Sequence, residues 1–233
     1  MVEQSKGKIY LSGERGHTET DWFRSYNTFN FGSYQNENRI PFGPLYVCNE
    51  DTIAAGKSFS FFVEQDSDIV LVPTVGVVGF KENNDDDIFI EAGQVFIHTV
   101  ISGTTIHFSN PLESELVNFL QLWLTHPSET AKFQKSFELN DNRDHIIPLF
   151  FDRNSGCVKL SIGKLTGRCE LEYVLSTCGN GLFVFVIEGA FEVQYRLLEA
   201  SDSLALWDLP KVEFEALSND AIILLLEVSG IAE

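Results

Sequence analysis

Positive charge is scarce in this sequence. Sixteen Lys and Arg stand against 34 Asp and Glu, a formal net charge of −18. Such a surface repels a phosphate backbone and an anionic bilayer alike, so neither nucleic acid nor a membrane is expected as a partner. The excess of carboxylates reads as a solubility surface. Long apolar runs are missing too. The longest, such as Leu182–Ile187 and Ala221–Leu226, have the length of a strand and fall well short of a bilayer span. Residues 1–8 (MVEQSKGK) are polar and carry no apolar signal core, so a cytoplasmic protein is expected. The four cysteines, Cys48, Cys157, Cys169 and Cys178, show no C-x-x-C spacing. That spacing argues against a zinc site or a thioredoxin-like pair and for free, mostly buried thiols in a reducing compartment. There is no G-x-S-x-G, no P-loop, no dinucleotide glycine fingerprint and no H-E-x-x-H. Cys157 and His145 are neighbours in sequence only, which does not make a thiol–imidazole pair.

What the chain has is strand signal. Hydrophobic residues make up 44% of the 233, enough for a sizeable core, and Phe occurs 20 times, which favours packed sheets over helical bundles. Short apolar runs recur at Ile69–Val72, Val75–Val78, Ile88–Ile90, Val95–Val100, Leu116–Leu124 and Val158–Ile162. They continue at Leu182–Ile187, Phe191–Leu197, Leu204–Trp207 and Ile222–Val228. Turn clusters separate them at Lys81–Asp87, Asn140–Asp144, Asp152–Gly156 and Cys178–Gly181. This spacing predicts an all-β sandwich or barrel.

A weak internal repeat runs through these strands. Glu91-Ala92-Gly93 enters one strand and Glu199-Ala200-Ser201-Asp202 enters another, each after a β-run with a turn glycine, Gly76 or Gly189. Duplicated halves explain the length. The join is expected in Ser128–Lys135, which divides the chain into residues 1–130 and 131–233. The acidic run Asp85–Asp87 lacks the Gly and distal Glu of a calcium loop and reads as a solvated hairpin tip. Glu170 and Glu172, two apart, read as an ordinary exposed strand face.

Barrels that hold a metal often carry two histidines two apart on one strand, which places both imidazoles on one face. With a third histidine and a carboxylate from a facing strand, such a set suits iron, copper, nickel or manganese. The frame around such a motif is present: Gly56, Phe62-Val63-Glu64, Asp68 and Gly76, then Gly93, Gly103 and Asn110-Pro111. So are Trp22, Thr28-Phe29-Asn30-Phe31-Gly32, Phe42-Gly43-Pro44-Leu45, Asn49-Glu50-Asp51, Ala55-Gly56 and Val117-Asn118-Phe119-Leu120-Gln121-Leu122-Trp123. In order and spacing these blocks resemble the pirin family of the cupin superfamily, most closely over residues 20–127. Val186-Ile187-Glu188-Gly189 and Ser201-Asp202 resemble the pirin C-terminal cupin more loosely. The resemblance implies two tandem cupin-type β-barrels, a bicupin of double-stranded β-helices.

It also implies where a metal would sit. Pirin ligands lie in H-P-H-R-D-M-E and in an H-x-E before N-P. Counting on Asp66, Asp68 and Gly76 puts Phe62 and Glu64 at the two histidines. Counting forward from Gly93, or back from Trp123, puts Ile106 and Phe108 at the histidine and the glutamate. Three of the four positions are then apolar, and no cofactor is expected. Fe, Ni, Cu or Mn enters only if the altered site still binds. A one-residue slip in register would turn His107 inward, where it and Glu64 form half a site with Ser109 as a poor third ligand. His98 reads as a partly buried strand histidine satisfied by its neighbours. No histidine follows His145, so the second half has no imidazole site. An inward Glu64 would be hydrogen-bonded or have a raised pKa, held by Tyr or Trp neighbours.

Three functions follow from the resemblance and these substitutions. The first is a metal-free, non-catalytic binding or regulatory protein, with an unknown protein partner or small molecule. The second is a metal-dependent quercetin 2,3-dioxygenase-type enzyme. The third is small-molecule binding in an apolar barrel pocket, which an enclosed cavity lined by Phe62, Ile106 and Phe108 would support and a filled core would remove.

Overall fold

The computed structural model describes residues 5–83, 85–125, 131–151, 158–177, 179–229 and 231. Cys157, Cys178, the turn cluster 152–156 and the start of the expected join, 128–130, lie outside them. Apart from a three-residue 3-10 turn at Ser12–Glu14, the described elements are strands. In chain order these begin β1 (Gly7–Tyr10), β2 (Gly16–Glu19), β3 (Phe23–Asn27), β4 (Leu45–Ile53), β5 (Ser58–Phe62), β6 (Ser67–Val75) and β7 (Val77–Glu82). Then come β8 (Ile88–Glu91), β9 (Gln94–Val100), β10 (Thr105–Ser109), β11 (Val117–Thr125), β12 (Lys132–Ser136), β13 (Ile146–Phe151) and β14 (Val158–Leu165). The last are β15 (Glu170–Val174), β16 (Gly181–Glu188), β17 (Ala190–Val193), β18 (Arg196–Glu199), β19 (Ser203–Leu206), β20 (Lys211–Ala216) and β21 (Ala221–Val228).

The chain divides into two compact units. One is Gly16–Phe137; the other joins Met1–Arg15 to Glu138–Glu233. In the first, a seven-stranded sheet of order β12-β9-β6-β11-β4-β3-β2 faces a four-stranded sheet of order β5-β10-β7-β8. In the second, a six-stranded sheet β1-β19-β16-β21-β14-β13 faces β15-β20-β17-β18. Adding ten to the strand numbers turns the run β9-β6-β11-β4-β3 into β19-β16-β21-β14-β13, and β5-β10-β7-β8 into β15-β20-β17-β18. Each unit is thus a cupin-type barrel, and the duplication read from the turns is visible in the topology. Gly76 joins β6 to β7 and Gly189 joins β16 to β17, with φ of +77° and +79°. The Glu-Ala turns lead into the matching strands β9 and β19.

The expected boundary after residue 130 needs correction at both ends. β12 stays with the first unit through its ladder to β9, from Lys132↔His98 to Ser136↔Gln94. β1 pairs with β19 in the second unit, from Gly7↔Leu206 to Tyr10↔Ser203. β1 takes in the second unit the edge that β12 covers in the first. Each thereby becomes the end strand of its large sheet.

Two strands also depart from the sequence reading. β6 runs through Pro73 without a break, because Pro73 opposes Phe119 where the ladder to β11 shifts register. The run Phe191–Leu197 is a hairpin, with Gln194 and Tyr195 both at positive φ between β17 and β18. That backbone is the two-residue turn whose twist matches the flanking strands.

Period-two alternation fills both cores. In the first unit Val78 and Phe80 of β7, Phe96 and Val100 of β9, Ile106 and Phe108 of β10 and Phe119 of β11 form one apolar cluster. In the second, Leu182, Val184 and Val186 of β16 meet Val212 and Phe214 of β20 and Ile223 and Leu225 of β21. Each such side chain contributes about 1.5–3 kcal/mol by leaving water.

Candidate functional site

The four positions singled out from sequence lie on β10 and at the end of β5. β10 pairs with β5 without a bulge: Thr105↔Phe62, Ile106↔Phe61, His107↔Ser60 and Phe108↔Phe59. Ile106 and Phe108 are fully buried in the core. Their inward partners on β5 are Phe61 and Phe59, and Val63 continues that inward row. Phe62 faces the other way and is 61% exposed, and Glu64, just past the strand, is exposed as well. The four positions therefore do not converge. The count from Gly76 gives 62 and 64, whereas strand alternation turns 61 and 63 inward.

Three conditional readings do not hold in this geometry. Glu64 is not a buried carboxylate, since the chain turns outward after Val63, whose N–H donates to the Thr104 carbonyl at 2.9 Å. His107 does not slip inward. It stays on the outer face, with its Nδ1 2.6 Å from Ser60 Oγ. Phe62, Ile106 and Phe108 do not line one cavity: Phe62 faces outward, and Phe108 packs in the core against Phe59 at 5.3 Å and Phe119 at 5.5 Å between ring centroids. His98 sits as expected of a structural histidine, its Nε2 2.7 Å from Glu82 Oε2 and its ring against Phe80 and Phe96. Glu170 and Glu172 are exposed on β15, across from Glu215 and Glu213.

These positions do not suit a transition metal. Read as 62, 64, 106 and 108, the set offers one carboxylate where the chemistry asks for several N and O donors. Read as the inward set 61, 63, 106 and 108, it offers no donor at all. The second unit gives an internal standard. The ladder pair Thr105↔Phe62 corresponds to Lys211↔Val174, so Ile106 and Phe108 match Val212 and Phe214, plain core residues.

What the first unit does build at this end is an open cleft of about 610 Å³. Its aromatic lining is Phe31, Tyr46, Phe61, Phe62 and Trp123. Asn30, Gln35, Glu64 and Gln65 add polar groups. The aromatic residues hold one another edge to face. Phe31 lies 4.9 Å from Phe61 and 5.8 Å from Trp123, and Phe61 lies 6.0 Å from Trp123. Tyr46 meets Trp123 at 6.2 Å. Such pairs add about 0.5–1.5 kcal/mol each beyond burial and fix the ring planes. The Tyr46 hydroxyl hydrogen-bonds Ser67 Oγ. Burial raises its pKa above the ordinary phenol value, and the nearby Glu64 adds to the rise.

Behind Trp123 the barrel interior turns polar. The Trp123 indole N–H donates to Gln121 Oε1 at 2.7 Å, and Gln121 Nε2 donates to Asp51 Oδ2. Asp51 is fully buried, and its pKa is pushed up to about 7, chiefly by burial. Ser25 and Asn27 of β3 oppose Asp51 and Asn49 of β4 on the same inner face. Sequence reading missed this cluster, because inward polar residues imitate the exposed side of a strand. The blocks Asn49-Glu50-Asp51 and Gln121-Leu122-Trp123, quoted above for the resemblance, were the available signal.

Comparison with known proteins covers both units. Residues 157–228 match the family model described as the quercetinase C-terminal cupin domain. The Escherichia coli (strain K12) protein named quercetin 2,3-dioxygenase is 25% identical over 227 residues, 93% of this chain and 97% of that one. The crystal structure of bacterial pirin YhhW from Escherichia coli, in complex with nickel(II), superposes with a TM-score of 0.84 at 21% identity. It covers 97% of this chain and 100% of that one. A quercetin 2,3-dioxygenase structure from Acinetobacter baumannii gives a TM-score of 0.75 at 19% identity, over 99% of this chain and 89% of that one.

Proposed function

With the chain a pirin-family cupin protein, as the family model, the full-length relatives and the fold together show, we propose that its first unit is a metal-independent, non-catalytic binding module. The ligand is a small planar aromatic molecule held in the cleft between Phe62 and Trp123. The observation that carries this reading is the combination at one end of the barrel. The core positions Ile106 and Phe108 are packed shut, and directly above them an aromatic cleft stays open. Apolar, ring-lined walls with a few polar groups suit a flat, partly polar ligand. Glu64, Gln65, Asn30 and Gln35 supply hydrogen-bonding groups for its edge. The names of the relatives point to the flavonol class, and a flavonoid-shaped molecule is the ligand class we propose.

The test has two arms. Titration of the protein with flavone, with no metal added, should quench the fluorescence of Trp123, and Trp123→Phe should remove that change. Elemental analysis of protein purified without chelators should find less than one transition metal per chain. Oxygen uptake with quercetin should stay at background when Fe, Ni, Cu or Mn is supplied. One tightly held metal per chain, or metal-dependent oxygen uptake, would replace this reading with the dioxygenase.

A further inference from the structure

The cleft floor and the barrel interior are joined by a directional chain of hydrogen bonds. Indole N–H is a donor only, so the bond from Trp123 fixes the Gln121 amide with its oxygen toward the ring. The amide nitrogen then points at Asp51, whose Oδ2 must accept. An ionised carboxylate meets that demand best, because hydrogen bonds to charged acceptors are roughly twice as strong as neutral ones. If Asp51 donated instead, Gln121 would have to turn its NH₂ onto the indole N–H, donor against donor. The chain therefore reads in one direction only.

The surroundings leave Asp51 poised. Its Oδ1 and both amide atoms of the neighbouring Asn49 are buried and find no hydrogen-bond partner among the described residues. Ser25 faces Asp51 from β3 and lowers its pKa, as does Gln121 from β11, while Glu50 on its own strand raises it through charge. Across the barrel Phe59, Phe61 and Phe108 bring no charge to the inner face. His98, on the inner face of β9, is separated from Trp123 by Ile69 in the same row. Glu64 and Tyr46 flank the mouth on the solvent side.

We propose that Asp51 is a positioning residue for the aromatic cleft, acting through Gln121 on Trp123 so that the ionised carboxylate locks the ring against which the ligand packs. This rests on the binding reading above and adds regulation to it. Burial places the titration near pH 7, where proton uptake slackens the chain and weakens binding.

The test begins on the unmodified protein. ¹H–¹⁵N spectra resolve the indole N–H groups of Trp22, Trp123 and Trp207 between pH 5.5 and 8. The Trp123 signal, assigned with Trp123→Phe, should titrate with a midpoint near 7, while the other two serve as references. Asp51→Asn should flatten that titration, and His98→Gln should leave it. Flavone has no ionisable group in this range, and its affinity should fall about fivefold from pH 8 to pH 5.5, as the loss of a charge-assisted bond implies. In Asp51→Asn the affinity should be flat. If Asp51→Asn does not fold, Gln121→Leu, which cuts the chain in its middle, must abolish the titration. A Trp123 signal that does not move, or that titrates alike in Asp51→Asn, overturns the proposal. If flavone binds at no pH while the indole titrates as expected, the binding reading falls and the Asp51–Trp123 coupling stands.

Discussion

Glu227 of β21 is almost wholly buried, yet it is satisfied on both oxygens. Oε1 accepts from the Ser176 backbone N–H and from Asn180 Nδ2, each at 2.7 Å. Oε2 accepts from the Tyr173 hydroxyl at 2.9 Å and from Ser176 Oγ at 3.1 Å. The residue thus ties β21 to β15 and to the segment leading into β16. Glu227→Ala removes four bonds to a charged acceptor, worth about 1.5–3 kcal/mol each before desolvation is counted. Relief of the buried charge offsets part of this, and three stranded donor residues add to it. The net cost should be about 3–5 kcal/mol, a large share of the ~5–15 kcal/mol that holds a domain. Glu227→Gln keeps an oxygen for Ser176 N–H and Asn180, and the two hydroxyls facing Oε2 can rotate to accept from its NH₂. It should cost only about 1 kcal/mol. Urea unfolding followed by circular dichroism measures both, and hydrogen exchange at the Ser176 amide localises the effect. A Glu227→Ala protein within about 1 kcal/mol of wild type, or a Gln variant as costly as Ala, would show that these four bonds do not hold β21 to β15.

Asp51 makes a stability prediction independent of any ligand. Its folded pKa is raised from the model-peptide value of 3.8 to about 7, so between these limits the native state holds a proton that the unfolded chain has released. The associated stability is fully present below about pH 4 and is lost as pH rises through about 7. Asp51→Asn should raise the unfolding free energy measured in urea at pH 8, by an amount on the order of 2–4 kcal/mol, and change it little at pH 4. Gly189→Ala should cost about 2–4 kcal/mol in thermal unfolding, because φ is +79° and an added Cβ would lie 2.3 Å from Ser218 Oγ and 2.9 Å from the Ala221 Cβ. Lys211 bridges Glu172 at 2.6 Å and Glu213 at 2.9 Å on the exposed sheet face, and these partners raise its pKa. Lys211→Ala should nevertheless leave the unfolding midpoint nearly unchanged in 0.5 M salt, where surface pairs are screened.

The repeat was legible because turns have local chemistry: Gly76 and Gly189 need positive φ, and a glycine in a strand-rich stretch announces it. That Ile106 and Phe108 share one face was legible because they are two apart on one strand, and β10, which has no bulge, keeps both in the core. Phe62 was harder. The run Phe59-Ser60-Phe61-Phe62 carries aromatics in both phases of a two-residue period, so hydrophobicity cannot say which phase faces inward, and only the pairing of Phe61 with Ile106 decides it. The placement of β1 was beyond local signals altogether. Its four residues pair with a strand nearly two hundred positions away, and nothing in GKIY distinguishes an edge of one barrel from an edge of the other.

The two units can be read against each other at the barrel mouth. Val117↔Ile53 opens the ladder of β11 with β4, and Ala221↔Leu165 opens that of β21 with β14, so Trp123 and Glu227 hold corresponding places. From the ladder pairs Thr105↔Phe62 and Lys211↔Val174, Phe61 corresponds to Tyr173 and Glu64 to Ser176, and the N–H of Val63 and of Leu175 each reaches back to the loop before its partner strand. In the second unit the residue at this place is a carboxylate, and hydroxyl and amide groups close around it until every bond is made. In the first unit the place is filled by an indole, its neighbours are aromatic, and the only polar demand, one N–H, is passed inward to Gln121 and Asp51. A satisfied polar knot seals one mouth, whereas rings with one donor spent internally leave the other mouth open and apolar. The difference between the sealed mouth and the open cleft therefore lies in the residue at this position together with the donors that its neighbours do or do not bring to it. Placing a carboxylate at residue 123 in the first unit, as Trp123→Glu, should not recreate the seal. Phe61 and Glu64 offer it no donor there, and Glu64 adds like charge, so the variant should unfold at lower urea than Trp123→Phe. A Trp123→Glu protein as stable as Trp123→Phe would show that the mouth is indifferent to charge and that this comparison misplaces what keeps the cleft open.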